Sequence, residues 1–260
     1  MKKRIIISTI VSFVLLLAVV IAGLNAIFTV TAVNAEFTVF SSDGQSEANS
    51  LKTELDAFTG KSSVFLDLND VQKTVEKYPA FRVERVEKAY PAAVEVRVRE
   101  RRETYACKTE NGYAVFDETG AYLYDKQENE NRLGGKNILL EAFRFTFSSR
   151  ERAEGQYAEE LFQTLDVFTE HLTEVRANIE RVALVMPAAE STTRNHFFYF
   201  YMREGVIIQI KNPLELTKEK ATAAVQKYLS LSDMERVQGV IDVVDTNSGG
   251  VSVAWRLLGE

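Results

Sequence analysis

Few residues in this chain have the type and spacing that chemistry demands. Of its two histidines, His171 falls near the end of a predicted helix, where a cation is favoured, and His196 stands just before a predicted strand. Neither has a second histidine or a cysteine at metal-ligand spacing. The sole cysteine, Cys107, excludes an intramolecular disulfide and lies on a predicted strand, where a buried thiol is structural rather than nucleophilic. No G-x-S-x-G, S-x-x-K or phosphate-binding glycine loop occurs. "DTNSGG" at 245–250 hints at a calcium loop but lacks its acidic spacing, so it reads as a hairpin turn. The expectation is a protein with no catalytic residue, no cofactor and no metal.

Composition and charge bound the elements that would position any site. The chain has 260 residues, 46% of them hydrophobic, which suits one large domain or two small ones. The formal net charge is -6, and the cations Lys2, Lys3 and Arg4 leave the remainder more acidic still. Such a balance repels phosphate backbones. "YPAFRVERVEKAYPAAVEVRVRERR" at 78–102 holds seven Lys or Arg, but four Glu interrupt them. Val94, Val96 and Val98 alternate with Glu95, Arg97 and Arg99, the period of a half-exposed strand. Phe81 to Val86 alternates too, with a register blurred near its middle. The stretch is a hairpin, not a nucleic-acid patch.

No charged residue occurs from Ile5 through Ala35. The run from 5 to 28 is expected to be a single transmembrane anchor, since 18 apolar residues already reach roughly 27 Å as a helix. The preceding cations would keep residues 1–4 in the cytoplasm and the rest outside. A cleavable signal peptide is the alternative, because "LNA" (24–26) and "VNA" (33–35) have the small residues of a cleavage site.

After this run, "EFTVF" (36–40) alternates like a strand. Leu51, Leu55 and Phe58 recur at helical spacing behind a predicted N-cap at Ser46. A second helix opens at Asn69 with Gln72 three residues on, and Pro79 stops it. The second half begins with three short strands turned at "ENG" and "ETG". A helix with Leu161, Leu165, Phe168 and Leu172 on one face follows. "IERVALVM" and a hairpin turned at 203–205 come next, then a helix with Leu216, Ala223 and Tyr228 near its apolar face. "GVIDV" (239–243) and the strand within "VSVAWRLL" close the chain.

Strand, helix, helix, strand, strand directly after an apolar run resembles a POTRA domain. The pattern Pro79, Val83, Val86, Pro91, Val94, Val96, Val98, Glu100 and Arg101 resembles the FtsQ/DivIB cell-division family. "GVIDV" is similar to that family's closing strand. The family's proline after Glu-Arg is missing from "RETYA", and its V-x-G appears only as "FSSDG". The resemblance implies an α+β fold: one N-terminal transmembrane helix (5–28), a POTRA domain (β-α-α-β-β, 36–102), and a β-rich domain (103–260) with two helices packed on a mostly antiparallel sheet. It further implies a non-enzymatic scaffold at the division septum, in the cell membrane. Such a scaffold binds FtsB/DivIC-type and FtsL-type coiled-coil proteins and helps regulate septal peptidoglycan synthesis. A chaperone-like or secretion-associated POTRA protein, and an anchored exported enzyme or solute-binding protein, are the alternatives.

Two stretches are candidates for recognition. "FFYFY" (197–201) is expected to be a central strand, one face in the core and the other under a helix; the alternative is an exposed aromatic surface. A terminal strand often lies at a sheet edge, where unpaired backbone groups accept a partner strand. The candidate partner-binding residues are therefore Gly250, Val251, Ser252, Val253, Ala254, Trp255 and Arg256. Alternation puts Val251, Val253 and Trp255 on one face and Ser252, Ala254 and Arg256 on the other.

Overall fold

Alternating valines build the smaller of two sheets. The structure, a computed structural model, describes residues 13–23, 27–148, 151–187 and 195–258, and divides into the units Met1–Arg101 and Arg102–Glu260. In the first unit, β1 (Ala32–Thr38) is followed by helices α1 (Ser42–Asp56) and α2 (Leu68–Glu76), then β2 (Phe81–Ala89) and β3 (Ala93–Glu100). β3 lies between the other two, parallel to β1 and antiparallel to β2. Val94, Val96 and Val98 are buried with Leu51 and Leu55 of α1 and Val71 and Val75 of α2. A register shift between Val83 and Arg85 accounts for the blurred alternation of β2. The arginines of the hairpin pair with acids: Arg97 with Glu36 at 2.9 Å, Arg85 with Glu87 at 2.6 Å and Arg99 with Glu84 at 3.5 Å.

Local capping differs from expectation. Ser41, not Ser46, caps α1, accepting a bond from Gly44 N–H, and Asp67, not Asn69, caps α2. The reason for the first is distant in sequence. The buried carboxylate of Glu100 accepts from Phe40 N–H at 2.5 Å, from Ser41 N–H at 2.9 Å and from the Ser41 hydroxyl, fixing the start of the helix.

The expected membrane anchor is not shown. Residues 13–23 are helical, while residues 1–12 and 24–26 lie outside the described residues, including the 1–4 tail and the 24–26 cleavage motif. Among the described residues no helix is long and apolar enough to cross a membrane. The fold class is therefore corrected to a mixed α/β protein with large sheets.

In the second unit, β4 (Glu103–Thr109), β5 (Gly112–Asp117), β6 (Tyr122–Lys126) and β7 (Ile138–Glu141) precede a two-stranded ribbon of β8 (Phe145–Thr146) and β9 (Glu154–Gly155). Then come α3 (Ala158–His171), α4 (Val175–Asn178), β10 (Ile179–Val185), β11 (Phe197–Met202) and β12 (Ile207–Lys211). α5 (Thr217–Ser230), α6 (Asp233–Arg236), β13 (Val240–Asp245) and β14 (Val251–Arg256) complete the unit. Nine strands form one sheet in the order β14-β13-β12-β11-β10-β7-β4-β5-β6. Most of its neighbours pair antiparallel, as expected, but β4–β7, β7–β10 and β12–β13 pair parallel, so the sheet is mixed. Parallel neighbours need a crossover, which α3 supplies between β7 and β10 and α5 between β12 and β13.

α3 and α5 pack against each other and share one core with the sheet. Leu161, Phe162, Leu165 and Phe168 of α3 and Ala221, Ala224, Val225 and Tyr228 of α5 meet Phe198, Phe200, Ile208, Ile210, Ile241 and Val243. The apolar stripe of α5 is thus rotated from the expected one: Ala223 is half-buried, and Leu216 precedes the helix in a left-handed conformation. The two edges of the sheet differ. At β6, Tyr122 N–H donates to Glu151 C=O at 3.2 Å and Ala121 bridges to Arg152. Along β14, no strand among the described residues takes the outer side.

Candidate partner-binding edge

The edge strand β14 is placed by a tight turn and by three anchors beneath it. In the turn, Thr246 N–H donates to Gly250 C=O at 2.8 Å and Gly250 N–H donates to the Thr246 hydroxyl at 2.9 Å. The register then runs from Asp245↔Val251 to Val240↔Arg256. Antiparallel pairs alternate between bonded and non-bonded, and the Thr246–Gly250 bond sets the phase. On that phase Ser252, Ala254 and Arg256 turn their main-chain groups toward β13, and Val251, Val253 and Trp255 turn theirs to the open side. The side chains of Val251, Val253 and Trp255 pack against the core, while Ser252 and Ala254 are exposed on the opposite face.

The first anchor is Lys220, fully buried on α5. Its ammonium donates to Asn212 C=O at 2.6 Å and to Lys211 C=O at 2.8 Å, and lies 2.7 Å from Asp245 Oδ1. Asn212 Nδ2 donates to the other Asp245 oxygen at 3.1 Å. One side chain thus ties the helix to the ends of β12 and β13, immediately before the turn into β14. The second anchor is Arg256, whose Nε donates to Asp242 Oδ2 at 2.5 Å; that carboxylate holds the guanidinium above its ordinary pKa. The third is Gly239, at φ 108°, where an added Cβ would lie 2.6 Å from Arg256 C=O and 2.7 Å from Trp255 Nε1. Gly239→Ala is expected to cost about 2 kcal/mol through backbone strain and steric overlap. Because Trp255 is the sole tryptophan, the same change should red-shift the intrinsic emission at unchanged secondary structure.

Neither Lys220 nor Asp242 was among the candidate residues. The only hint of Lys220 is a lysine four residues before Ala224 and eight before Tyr228, on the buried stripe of its helix. The Trp255 indole N–H is buried with no acceptor in reach among the described residues. Leaving such a donor unpaired costs about 1–3 kcal/mol.

Beside the edge lies an open sheet face. β11 is central, with Phe198 and Phe200 in the core, but no helix among the described residues covers the side chains of Phe197, Tyr199 and Tyr201. This differs from the expected burial on both faces, because α3 and α5 both pack on the same side. Tyr199 and Tyr201 stack at 6.4 Å, and Arg181, paired with Glu141, lies 3.4 Å over the Tyr201 ring. Partial burial, then the neighbouring Tyr201 and Asp242, push the Tyr199 hydroxyl above its ordinary pKa.

Burial pushes the Cys107 thiol up, away from a thiolate. The Tyr157 hydroxyl, its pKa raised by burial and by Glu160, shares a hydrogen bond with His196 Nδ1 at the start of α3. His171 ends α3. Among the described residues no group of three or more His, Cys, Asp or Glu is arranged to hold a metal. What the second unit offers is an edge and a face.

No family model and no curated protein matches the chain. The chain is similar to the major extracytoplasmic domain of the trans isomer of the cell division protein DivIB from Geobacillus stearothermophilus, at 11% identity. The match covers 50% of this chain and 88% of that one, with a TM-score of 0.28. So low a TM-score transfers neither partner nor mechanism.

Proposed function

We propose that this chain is a non-enzymatic scaffold of bacterial cell division that captures a partner by adding a strand to β14. The observation that carries the reading is the outer edge of β14, unpaired among the described residues and held in register by Lys220, Arg256 and the Thr246–Gly250 turn. Main-chain bonds to the outward groups of Val251, Val253 and Trp255 supply affinity, and the flanking side chains supply selectivity. Gly250 gives the strand its start. The division role is supported by the family pattern at Pro79–Arg101 and by "GVIDV". On that resemblance the partners are FtsB/DivIC-type and FtsL-type proteins, each offering a short extended segment beside its coiled coil. The assembly would regulate the septal peptidoglycan synthase.

Proline separates the two sides of the strand. Val253→Pro removes an outward N–H and leaves the ladder to β13 intact, so partner capture should be lost while the circular dichroism spectrum is kept. Ala254→Pro removes an inward N–H and should loosen the β13–β14 hairpin itself. Normal pull-down of an FtsB/DivIC-type partner by the Val253→Pro chain would overturn the edge model. A fluorescent fusion tests the division role separately: midcell bands are expected, and a uniform signal would overturn it.

A further inference from the structure

At one end of the first unit three chain segments converge. Val30 N–H donates to Lys61 C=O at 2.8 Å, Gly60 N–H to Val30 C=O at 2.8 Å and Ser63 N–H to Phe28 C=O at 2.6 Å. The turn after β2 joins them, with Thr31 N–H donating to Ala92 C=O at 2.7 Å and the Ser63 hydroxyl to Pro91 C=O at 2.6 Å. This backbone mesh holds apolar side chains out in water. Phe65 is 87% exposed, Tyr90 61%, Ile27 55% and Val64 46%, and Phe28 meets Tyr90 edge-to-face at 6.4 Å. Scattered exposed apolar residues need no explanation, but a group drawn together from three segments marks an interaction surface.

Two lysines border the group. Lys88 Nζ donates to Val64 C=O at 3.0 Å, holding the loop that carries Phe65, and Lys61 Nζ lies 4.2 Å over the Phe58 ring. Neither lysine is ion-paired among the described residues. The chain also enters this end straight from the run without charges that extends from Ile5 to Ala35. Apolar tips, a tyrosine and unneutralised cations on one rim, continuous with an apolar segment, match the chemistry of a bilayer boundary better than that of a protein groove. Aromatic rings settle where hydrocarbon meets headgroup, and lysine stems lie along apolar surface while the ammonium reaches phosphate.

We propose that this end of the first unit seats on a lipid surface bearing anionic headgroups. Phe65, Val64 and Tyr90 enter the boundary layer, and Lys61 and Lys88 face the phosphates. Each lysine contributes about a fivefold change in occupancy of an anionic surface.

The test uses the full chain with Cys107→Ala and a polarity-sensitive fluorophore on Phe65→Cys. It is mixed into vesicles of phosphatidylcholine, with or without phosphatidylglycerol, that carry spin-labelled acyl chains. Quenching should be several-fold stronger at 65 than at a control label on Asn49→Cys, exposed on α1. Phosphatidylglycerol should increase it, and Lys61→Glu with Lys88→Glu should remove that increase. Equal quenching at 65 and 49, or no response to charge reversal, would overturn the proposal. So would an emission already blue-shifted without lipid, which would mean that a second copy or the chain's own apolar run covers the patch. Partner capture through β14 should be unchanged throughout, so the two ideas fail separately.

Discussion

Replacing Lys220 with alanine is expected to destabilise the second unit by about 3–5 kcal/mol, the cost of removing one member of a buried charge cluster. The buried ammonium satisfies Lys211 C=O, Asn212 C=O and one oxygen of Asp245 together. Thermal unfolding followed by circular dichroism should show a drop of roughly 10 °C. Lys220→Met keeps the stem and loses only the donor, so it should recover packing but not the carbonyl partners. Asp245 is part-exposed, but Asp245→Asn leaves the fully buried Lys220 ammonium without its counter-charge, so it alone should cost about 3 kcal/mol. In the Lys220→Met background Asp245→Asn should cost less, because its cation is already gone. Independent, additive effects would show that Asp245 is a bystander.

Gly44→Ala is expected to destabilise the first unit, against the helix propensity that would otherwise favour it by up to about 1 kcal/mol. A Cβ at 44 would lie 2.4 Å from the Glu100 carboxyl carbon. That carboxylate cannot swing aside cheaply, since it is buried and accepts from Phe40 N–H, Ser41 N–H and the Ser41 hydroxyl. Charge-assisted bonds to buried groups are worth about 1.5–3 kcal/mol each, so losing two of them costs more than the propensity gain returns. Glu100→Ala should be destabilising by about 3 kcal/mol for the same reason. The decisive measurement is urea unfolding of both single variants and the double variant. With the carboxylate gone, the methyl group introduced by Gly44→Ala finds room, so the double variant should be no less stable than Glu100→Ala alone. A double variant that simply sums the two losses would refute the steric account.

These two sites also show where sequence reading stops. The strand periods were legible because each is a local matter: Val94, Val96 and Val98 face the core whatever pairs with them. The same holds for Leu161, Leu165 and Phe168 on α3. The cap at Ser41 was misplaced to Ser46 because its decisive partner, Glu100, lies some sixty residues away. Strand order is not legible for the same reason, since nothing local in β7 says that it stands between β4 and β10. The candidate edge was found by its position in the chain and its alternation. Lys220 was not, since a lysine on an apolar stripe shows its role only once three carbonyl or carboxylate oxygens close around it. The open face of Tyr199 stood only as the alternative reading, because one strand cannot reveal that both helices lie on the other side.

The unequal edges of the nine-stranded sheet set a limit on stoichiometry. Growth into a fibre requires each molecule to offer two open edges, one to give and one to receive. Here β6 is short, carries Asp125 and Lys126, and has its first residues occupied by the 151–152 segment. Among the described residues, β14 alone of that sheet's two edges is left open. A guest strand added there caps the array, and a second copy docking through its own β14 would close a twofold pair and stop. Through this sheet the molecule can therefore expose a sticky edge at high local concentration without seeding a polymer of itself.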